Sequence, residues 1–114
     1  MKIELPTNYQ QFIHLSRYAR WNEAEGRRET WEETVQRYFD FFVVHIQNLD
    51  PETAHITCRV RDQLEEAVLN LDIMPSMRAL MSAGKALERD HVAGFNCAYL
   101  AVDSLRAFDE TLYI

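Results

Sequence analysis

The sequence predicts a mainly α-helical N-terminal domain over residues 1–92, followed by one strand and the beginning of a helix. Two observations indicate the helices: apolar residues recur at helical spacing behind a capping box at Thr30, and again behind Asp50-Pro51. A third observation indicates the strand, since two largely apolar faces alternate over residues 94–102.

Length and composition are those of one folded unit or of a piece of a larger one. The 114 residues are 47% hydrophobic and include only 3 Gly and 3 Pro, which is typical of a folded chain. The net charge of −6 argues against a broad basic surface, so we expect no nucleic-acid partner.

The cysteines and histidines do not indicate a metal site or a disulfide framework. Their spacing is not that of metal ligands, and we expect structural or surface roles for His14, His45, His55 and His91. No apolar run approaches the roughly 20 residues that span a bilayer, and the N-terminus lacks the apolar core of a signal peptide. We therefore expect a soluble cytoplasmic protein without a membrane partner.

The first helix is predicted after Pro6, with Thr7 or Asn8 as its cap. Its expected inner face consists of Phe12, Ile13, Leu15 and Tyr18. A polar connection follows over residues 22–29, and four arginines crowd this region: Arg17, Arg20, Arg27 and Arg28. They are expected to balance neighbouring glutamates as solvated charge, and the alternative is a small site for a phosphate group.

Two longer helices are predicted to form the core. Thr30 and Glu33 make a capping box, and a wide apolar stripe behind them predicts a well-buried helix. That stripe consists of Val35, Tyr38, Phe39, Phe42, Val43, Ile46 and Leu49. Asp50 and Pro51 then cap and start the next helix. Its expected inner face is Ala54, Cys58, Leu64, Ala67, Val68 and Leu71, which makes Cys58 a small buried hydrophobe.

A short helix is predicted from Met77 to about Ser82, ending at Ala83-Gly84. Pro75 keeps the preceding residue extended, so Ser76 falls at the N-cap position. Two roles are open for Ser76: a plain cap worth about 1 kcal/mol, or a hydroxyl that helps a helix N-terminus bind an anion. A polar turn of helix over residues 85–90 then leads into the strand.

The predicted strand holds Cys97 at its middle, on one face with Phe95, Tyr99 and Ala101. Asp103 or Ser104 is expected to cap a last helix with an apolar face of Leu105, Phe108 and Leu112. Because a lone strand finds no partner among helices, we expect poor folding in isolation. The chain is interpreted as an N-terminal gene fragment or as a subunit that another chain completes.

Four segments of the chain occur in an order and at a spacing that indicate a family. They are Tyr18-Ala19-Arg20-Trp21, then Gly26-Arg27 with residues 31–37, then residues 75–84, and finally Asn96-Cys97-Ala98-Tyr99. Together they resemble the N-terminal region of adenosylcobalamin-dependent (class II) ribonucleotide reductases, most closely the monomeric ribonucleoside-triphosphate reductase type.

The resemblance implies that residues 93–114 begin a ten-stranded α/β barrel whose first strand carries Cys97. In this family that cysteine belongs to a reducible pair, which delivers the protons and electrons that replace the 2′-hydroxyl of a ribonucleotide by hydrogen. A cysteine radical first takes the 3′ hydrogen, and a thioredoxin-like reductant later reopens the disulfide. The resemblance also implies that Ser76 contacts the substrate phosphates and that Asn96 contacts the substrate.

The rest of the family's machinery is not in this sequence, including the radical cysteine, the second reducible cysteine, the catalytic carboxylate and most of any adenosylcobalamin site. Nothing in the spacing brings Cys58 within disulfide reach of Cys97. We therefore expect the isolated chain to be inactive and to need a complementing C-terminal reductase chain. The alternative hypothesis is a non-catalytic helical interaction module of reductase ancestry.

Overall fold

The computed structural model describes residues 4–95, 97 and 99–113, with the backbone alone for residues 54, 58 and 113. The described residues are mainly helical, as the sequence predicts. The elements in order are α1 (Asn8–Ile13), β1 (Trp21–Asn22), β2 (Arg27–Arg28), α2 (Trp31–Leu49), α3 (Ala54–Leu69), α4 (Met77–Ser82), α5 (Lys85–Arg89) and α6 (Arg106–Tyr113).

Helix α1 begins at the predicted cap, but its buried side differs from the prediction. Thr7 and Gln10 form a capping box, in which the Thr7 hydroxyl accepts from the Gln10 backbone N–H. The helix then widens into a π-turn over His14–Tyr18, closed by the Ala19 N–H donating to the His14 carbonyl. His14, at the start of this turn, is buried, whereas Phe12 and Leu15 are exposed.

A short hairpin occupies the region predicted as a polar connection. Trp21 pairs with Arg28 and Asn22 with Arg27 in an antiparallel register. Gly26 has a φ of +62°, a backbone conformation that glycine adopts without steric cost. Polar side chains gave no alternating pattern from which strands could be predicted here.

Helices α2 and α3 form the centre of the molecule. The Thr30 hydroxyl accepts from the Glu33 N–H, and Glu33 accepts from the Thr30 N–H, which confirms the capping box. The Trp31 indole donates to the carbonyl of Leu69 at the end of α3. The buried cluster consists of Leu5, Trp31, Val35, Phe39, Val68 and Leu80.

The outer parts of both helices are less buried than predicted. Ile46 and Leu49, at the end of the α2 stripe, are exposed, and so is Leu64 of the expected inner face of α3. Asp50 ends α2, and its carboxylate accepts from the Glu52 N–H to begin a 3-10 turn over Pro51–Thr53 that precedes α3. Helices α2 and α3 thus pack closely along only part of their length.

The predicted strand is not formed among the described residues of its segment. After α5 the chain makes a 3-10 turn over His91–Gly94, and Phe95, Cys97 and residues 99–102 have no regular structure. Phe95, Tyr99 and Val102 are exposed, Tyr99 to 89%, and Leu100 is half-buried. The physical reason is that, within the described part of the chain, no strand lies beside this segment to pair with its backbone N–H and C=O groups.

The last helix, α6, is amphipathic as predicted but does not bury its apolar face. Leu105, Phe108 and Leu112 are exposed, whereas Ala107 is buried. The molecule is also extended for its size, with a radius of gyration of 17.1 Å against about 13 Å for a compact domain of this length. Several apolar surfaces are therefore available to a partner. No helix within the described part of the chain is long and apolar enough to cross a membrane.

Candidate functional site

Ser76 lies at the N-cap position of α4, as predicted. Its backbone is extended, with φ −52° and ψ 132°, and its carbonyl accepts from the Leu80 N–H at 2.9 Å. The side chain, however, makes no capping hydrogen bond, and the residue is exposed. The plain-cap role is thus not realised, and the hydroxyl faces solvent.

Cys97 is an exposed, free thiol in the irregular segment that follows the 3-10 turn. It forms no disulfide among the described residues. Thiol exchange requires access to the sulfur, and this exposure provides it. Asn96, the other predicted substrate contact on this segment, lies outside the described residues.

The chain leading to Cys97 is anchored at three points. The Ser82 hydroxyl at the end of α4 lies 3.0 Å from the carbonyl oxygen of Ala93 and also contacts the carbonyl of Arg78, so these two acceptors share its proton. Gly94 packs so closely on Leu87 that an added Cβ would lie 3.0 Å from the leucine Cδ2. The His91 ring meets the His45 ring of α2 edge-on, with centroids 5.2 Å apart. These contacts fix where the Cys97 segment leaves the helical domain.

The same helix, α4, carries Ser76 at one end and the anchor of the Cys97 segment at the other. Six helical residues separate the two ends, which corresponds to about 9 Å along the axis. Ser76 and the entry to the Cys97 segment are therefore held on one rigid element.

A largely buried charge network that the sequence did not reveal fixes α4 in place. Arg37 of α2 forms a two-pronged ion pair with Glu29, with Nε 2.9 Å from Oε1 and Nη2 3.1 Å from Oε2. Its remaining N–H groups donate to the carbonyls of Leu80 at 3.1 Å and Ala83 at 2.7 Å, at the end of α4. Arg37 also donates to Tyr18, so one side chain joins four parts of the fold.

His14 and Thr34 extend this network into the core. His14 Nε2 lies 2.8 Å from the Thr34 hydroxyl, which in turn donates to Glu29 Oε2 at 3.2 Å. Burial lowers the pKa of His14 below 6.5, Glu29 opposes the shift and Arg37 adds to it. The lowered pKa favours the neutral form of His14, which is buried and hydrogen-bonded to Thr34.

Three of the four crowded arginines bind acceptors within the chain. Arg27 forms a two-pronged pair with Glu33 at 2.8 and 2.7 Å and also contacts Glu25. Arg28 donates to the Ala19 carbonyl at 2.9 Å, and Arg20 donates to the Met81 carbonyl. This arrangement organises the hairpin against α2 and α4, and it favours charge balance over a phosphate site.

One pocket beside α2 has a volume of about 680 Å3, opens to solvent, and is lined by charged and apolar side chains that include Arg37, Asp40, Phe41, Val44 and Glu88. No group of three or more His, Cys, Asp or Glu in the described part of the chain is placed to hold a metal ion.

Comparison with protein families matches residues 2–85 to the ribonucleotide reductase alpha domain. The match covers most of the helical region. The chain belongs to this family. Comparison with the curated proteins and with the solved structures finds no match.

The match to the reductase alpha domain includes some of the candidate residues and leaves others outside it. Ser76 and the Arg37–Glu29 network lie inside the matched residues, whereas Asn96 and Cys97 follow them. The match therefore identifies the chain as a domain of a ribonucleotide reductase family of oxidoreductases. The roles of single residues rest on the sequence resemblance and on the geometry described above.

Proposed function

We propose that this chain is the N-terminal part of a class II ribonucleotide reductase and supplies Cys97 to the reducible cysteine pair of the active site. The observation that carries the proposal is a reductase alpha domain followed, after a well-anchored turn, by a free and exposed cysteine. The helical domain then serves as the base from which the Cys97 segment enters the barrel.

In the proposed reaction, the thiol pair supplies the two hydrogens that reduction of the ribonucleotide consumes. Cys97 and a second cysteine together give up two hydrogens, the ribose loses its 2′-hydroxyl as water and gains hydrogen, and the two sulfurs end as a disulfide. A thioredoxin-like reductant restores both thiols. The only other cysteine of this chain is Cys58, in the middle of α3, so the second cysteine and the radical cysteine come from further reductase sequence.

Two further parts of the proposal concern the substrate. Ser76 is proposed to donate its unused hydroxyl to the substrate phosphates, which suits a triphosphate as well as a diphosphate, and the resemblance favours the triphosphate. Asn96 is proposed as a second substrate contact. Adenosylcobalamin is proposed as the cofactor because the Tyr18-Ala19-Arg20-Trp21 and Trp31–Arg37 segments resemble the cobalamin-dependent class. It would be bound by sequence outside this chain.

The exposed apolar segment after Gly94 supports the need for a complementing barrel chain. A strand with apolar residues on both faces is stable only when neighbouring strands and helices cover it. Residues 99–102 and the apolar face of α6 would be covered when the barrel closes around them. Residues 1–92 would then remain the helical domain and residues 93–114 the first part of the barrel.

A turnover assay with matched cysteine variants tests this function. The chain is combined with the complementing reductase sequence, a ribonucleoside triphosphate, adenosylcobalamin and a dithiol. We expect Cys97→Ser to abolish sustained deoxyribonucleotide formation and Cys58→Ser to leave it unchanged. Turnover that survives Cys97→Ser would exclude the proposed role of this thiol.

A non-catalytic interaction module is the second candidate, favoured by one observation. The family match ends at residue 85, before Cys97, while apolar surfaces such as the outer face of α6 are exposed. A stable complex with reductase sequence that shows no turnover, with Cys97 intact, would support this candidate.

A further inference from the structure

The turn that leads to Cys97 is held on two successive residues by two different helices. The Ser82 hydroxyl, at the end of α4, lies 3.0 Å from the carbonyl oxygen of Ala93. Gly94, the next residue, lies against Leu87 of α5, whose Cδ2 would be 3.0 Å from an added Cβ. Ser82 and Leu87 are both buried. A hydrogen bond and a close packing contact therefore hold adjacent residues just before the cysteine.

The turn does not need Ser82 in order to form, because it has hydrogen bonds of its own. The Asp90 carboxylate accepts from the Val92 N–H at 3.0 Å, and the Asp90 carbonyl accepts from the Ala93 N–H at 3.2 Å. The Phe95 N–H donates to the Val92 carbonyl at 3.0 Å. The turn thus closes on itself, and the contribution of Ser82 is to place it relative to α4.

Helix α4 does not need the Ser82 hydroxyl either. The hydroxyl also contacts the Arg78 carbonyl one turn earlier, so two acceptors share its proton, but a serine bond of this kind is not required for a helix to form. Arg37 holds the end of α4 independently, through the carbonyls of Leu80 and Ala83. Loss of the hydroxyl would therefore leave both α4 and the turn formed and remove a hydrogen bond between them.

We propose that Ser82 is a positioning residue for the Cys97 thiol, an inference that rests on the proposed function. Cys97 follows Ala93 by four residues, so even a fully extended segment between them spans no more than about 14 Å. Once barrel strands pair with this segment, a shift of its first residue displaces the sulfur. Misplacement of a reacting group by about 1 Å lowers a rate by as much as about 100-fold.

The place of Ser82 in α4 predicts which kinetic parameter it affects. Ser76, the proposed phosphate contact, lies at the opposite end of this helix. Because Arg37 keeps α4 in place without the Ser82 hydroxyl, nucleotide binding should be retained when the hydroxyl is removed. Transfer of electrons from Cys97 should be slowed, so kcat should fall while KM is maintained.

Steady-state kinetics of the reconstituted reductase test this role. We expect Ser82→Ala to lower kcat about tenfold and to leave the KM for the ribonucleotide within about twofold of wild type. Ser82→Thr keeps the hydroxyl and should maintain kcat within about twofold of wild type. Ser16→Ala is the matched control and should change neither parameter, because the Ser16 hydroxyl donates within its own helical turn, to the Ile13 carbonyl at 3.2 Å.

Amide hydrogen exchange distinguishes positioning from a purely structural role. In the isolated chain, we expect the amides of Val92 and Phe95 to exchange at the same rate in Ser82→Ala, Ser82→Thr and wild type, because the turn keeps its own hydrogen bonds. Faster exchange in Ser82→Ala would show that the hydroxyl holds the turn together and would overturn the proposal. A low kcat in Ser82→Thr with these amides still protected would also overturn it.

Cys97→Ser in the same kinetic assay separates this inference from the proposed function. If Cys97→Ser abolishes turnover but Ser82→Ala leaves kcat unchanged, or raises KM as much as it lowers kcat, the positioning role is wrong and the proposed function stands. Turnover that survives Cys97→Ser, or a complex without turnover, refutes the proposed function, and the positioning role falls with it.

Discussion

Arg37 is the residue on which the arrangement of α4 most depends. Its guanidinium is mostly buried, as is the Glu29 carboxylate, and it also serves the carbonyls of Leu80 and Ala83. Bidentate geometry of this kind is specific to arginine, because a lysine ammonium cannot serve two carboxylate oxygens and two carbonyls from one plane.

Replacing Arg37 should therefore destabilise the fold strongly. We expect Arg37→Met to lower the free energy of unfolding by about 3 kcal/mol, since it leaves the largely buried Glu29 carboxylate without its ionic partner. Urea denaturation measures this value. Arg27→Met, which removes a solvent-exposed pair with Glu33, is the control and should have a much smaller effect. Equal effects of the two substitutions would contradict the role assigned to Arg37.

His14 gives the fold a defined response to pH. Its pKa in the folded chain lies below the ordinary value of 6.5, mainly because of burial, so the unfolded chain binds the proton more tightly. The contribution of neutral His14 to the free energy of unfolding is complete above pH 6.5. It is lost as the pH falls from 6.5 through the pKa of His14 in the folded chain.

We expect His14→Gln to flatten the pH dependence of the unfolding free energy below pH 6.5, because glutamine keeps a polar group beside Thr34 but does not titrate. His55→Gln, at an exposed position of α3, is the control and should keep the wild-type dependence. Denaturant titrations at a series of pH values measure this dependence. A wild-type pH dependence of the unfolding free energy in His14→Gln would exclude His14 as its source.

At the residue scale, the sequence predicted local hydrogen bonds better than distant ones. The Thr30 capping box was predicted because its donor and acceptor are three residues apart, and Thr7 was one of the two caps predicted for α1. The Arg37 network was not, since its acceptors are eight to 46 residues away and a single arginine on the flank of a helix has no distinctive pattern. The only indication in the sequence was that Arg37 lies within residues 31–37, one of the segments that resemble the reductase family.

At the scale of single elements, α2 is the most clearly encoded helix. We expect Thr30→Ala to cost about 1 kcal/mol of unfolding free energy, because the Glu33 N–H loses its acceptor. Gln36→Ala, at an exposed position of the same helix, should change the unfolding free energy by less than about 0.5 kcal/mol. Chemical denaturation compares the two, and an equally small effect of Thr30→Ala would contradict the cap's contribution.

Elements whose stability depends on neighbours were predicted less well. Helix α4 forms as expected from Pro75 and the Ala83-Gly84 stop, since these signals are local. The hairpin of Trp21–Asn22 and Arg27–Arg28 was missed because only two residue pairs form it and three of the four side chains are polar. The strand around Cys97 was predicted from the alternation of residues 94–102 and from the family resemblance. Alternation indicates a tendency to form a strand but does not supply a partner strand.

At the scale of the whole molecule, the chain exposes surfaces that further reductase sequence is proposed to cover. We expect the amides of residues 99–102 to exchange rapidly in the isolated chain and to become protected when the complementing sequence is added, because barrel strands would then accept and donate their hydrogen bonds. Hydrogen–deuterium exchange measures this directly. Strong protection of these amides in the isolated chain would show that the segment is already paired.

The central claim is that Cys97 is one of the two thiols oxidised when a ribonucleotide is reduced. The most direct test is a single turnover by the prereduced, reconstituted reductase without added dithiol, followed by peptide mapping under non-reducing conditions. We predict one new disulfide that joins Cys97 to a cysteine of the complementing sequence, in proportion to the deoxyribonucleotide formed, with Cys58 unchanged. Product formation that leaves Cys97 as a free thiol would contradict the claim.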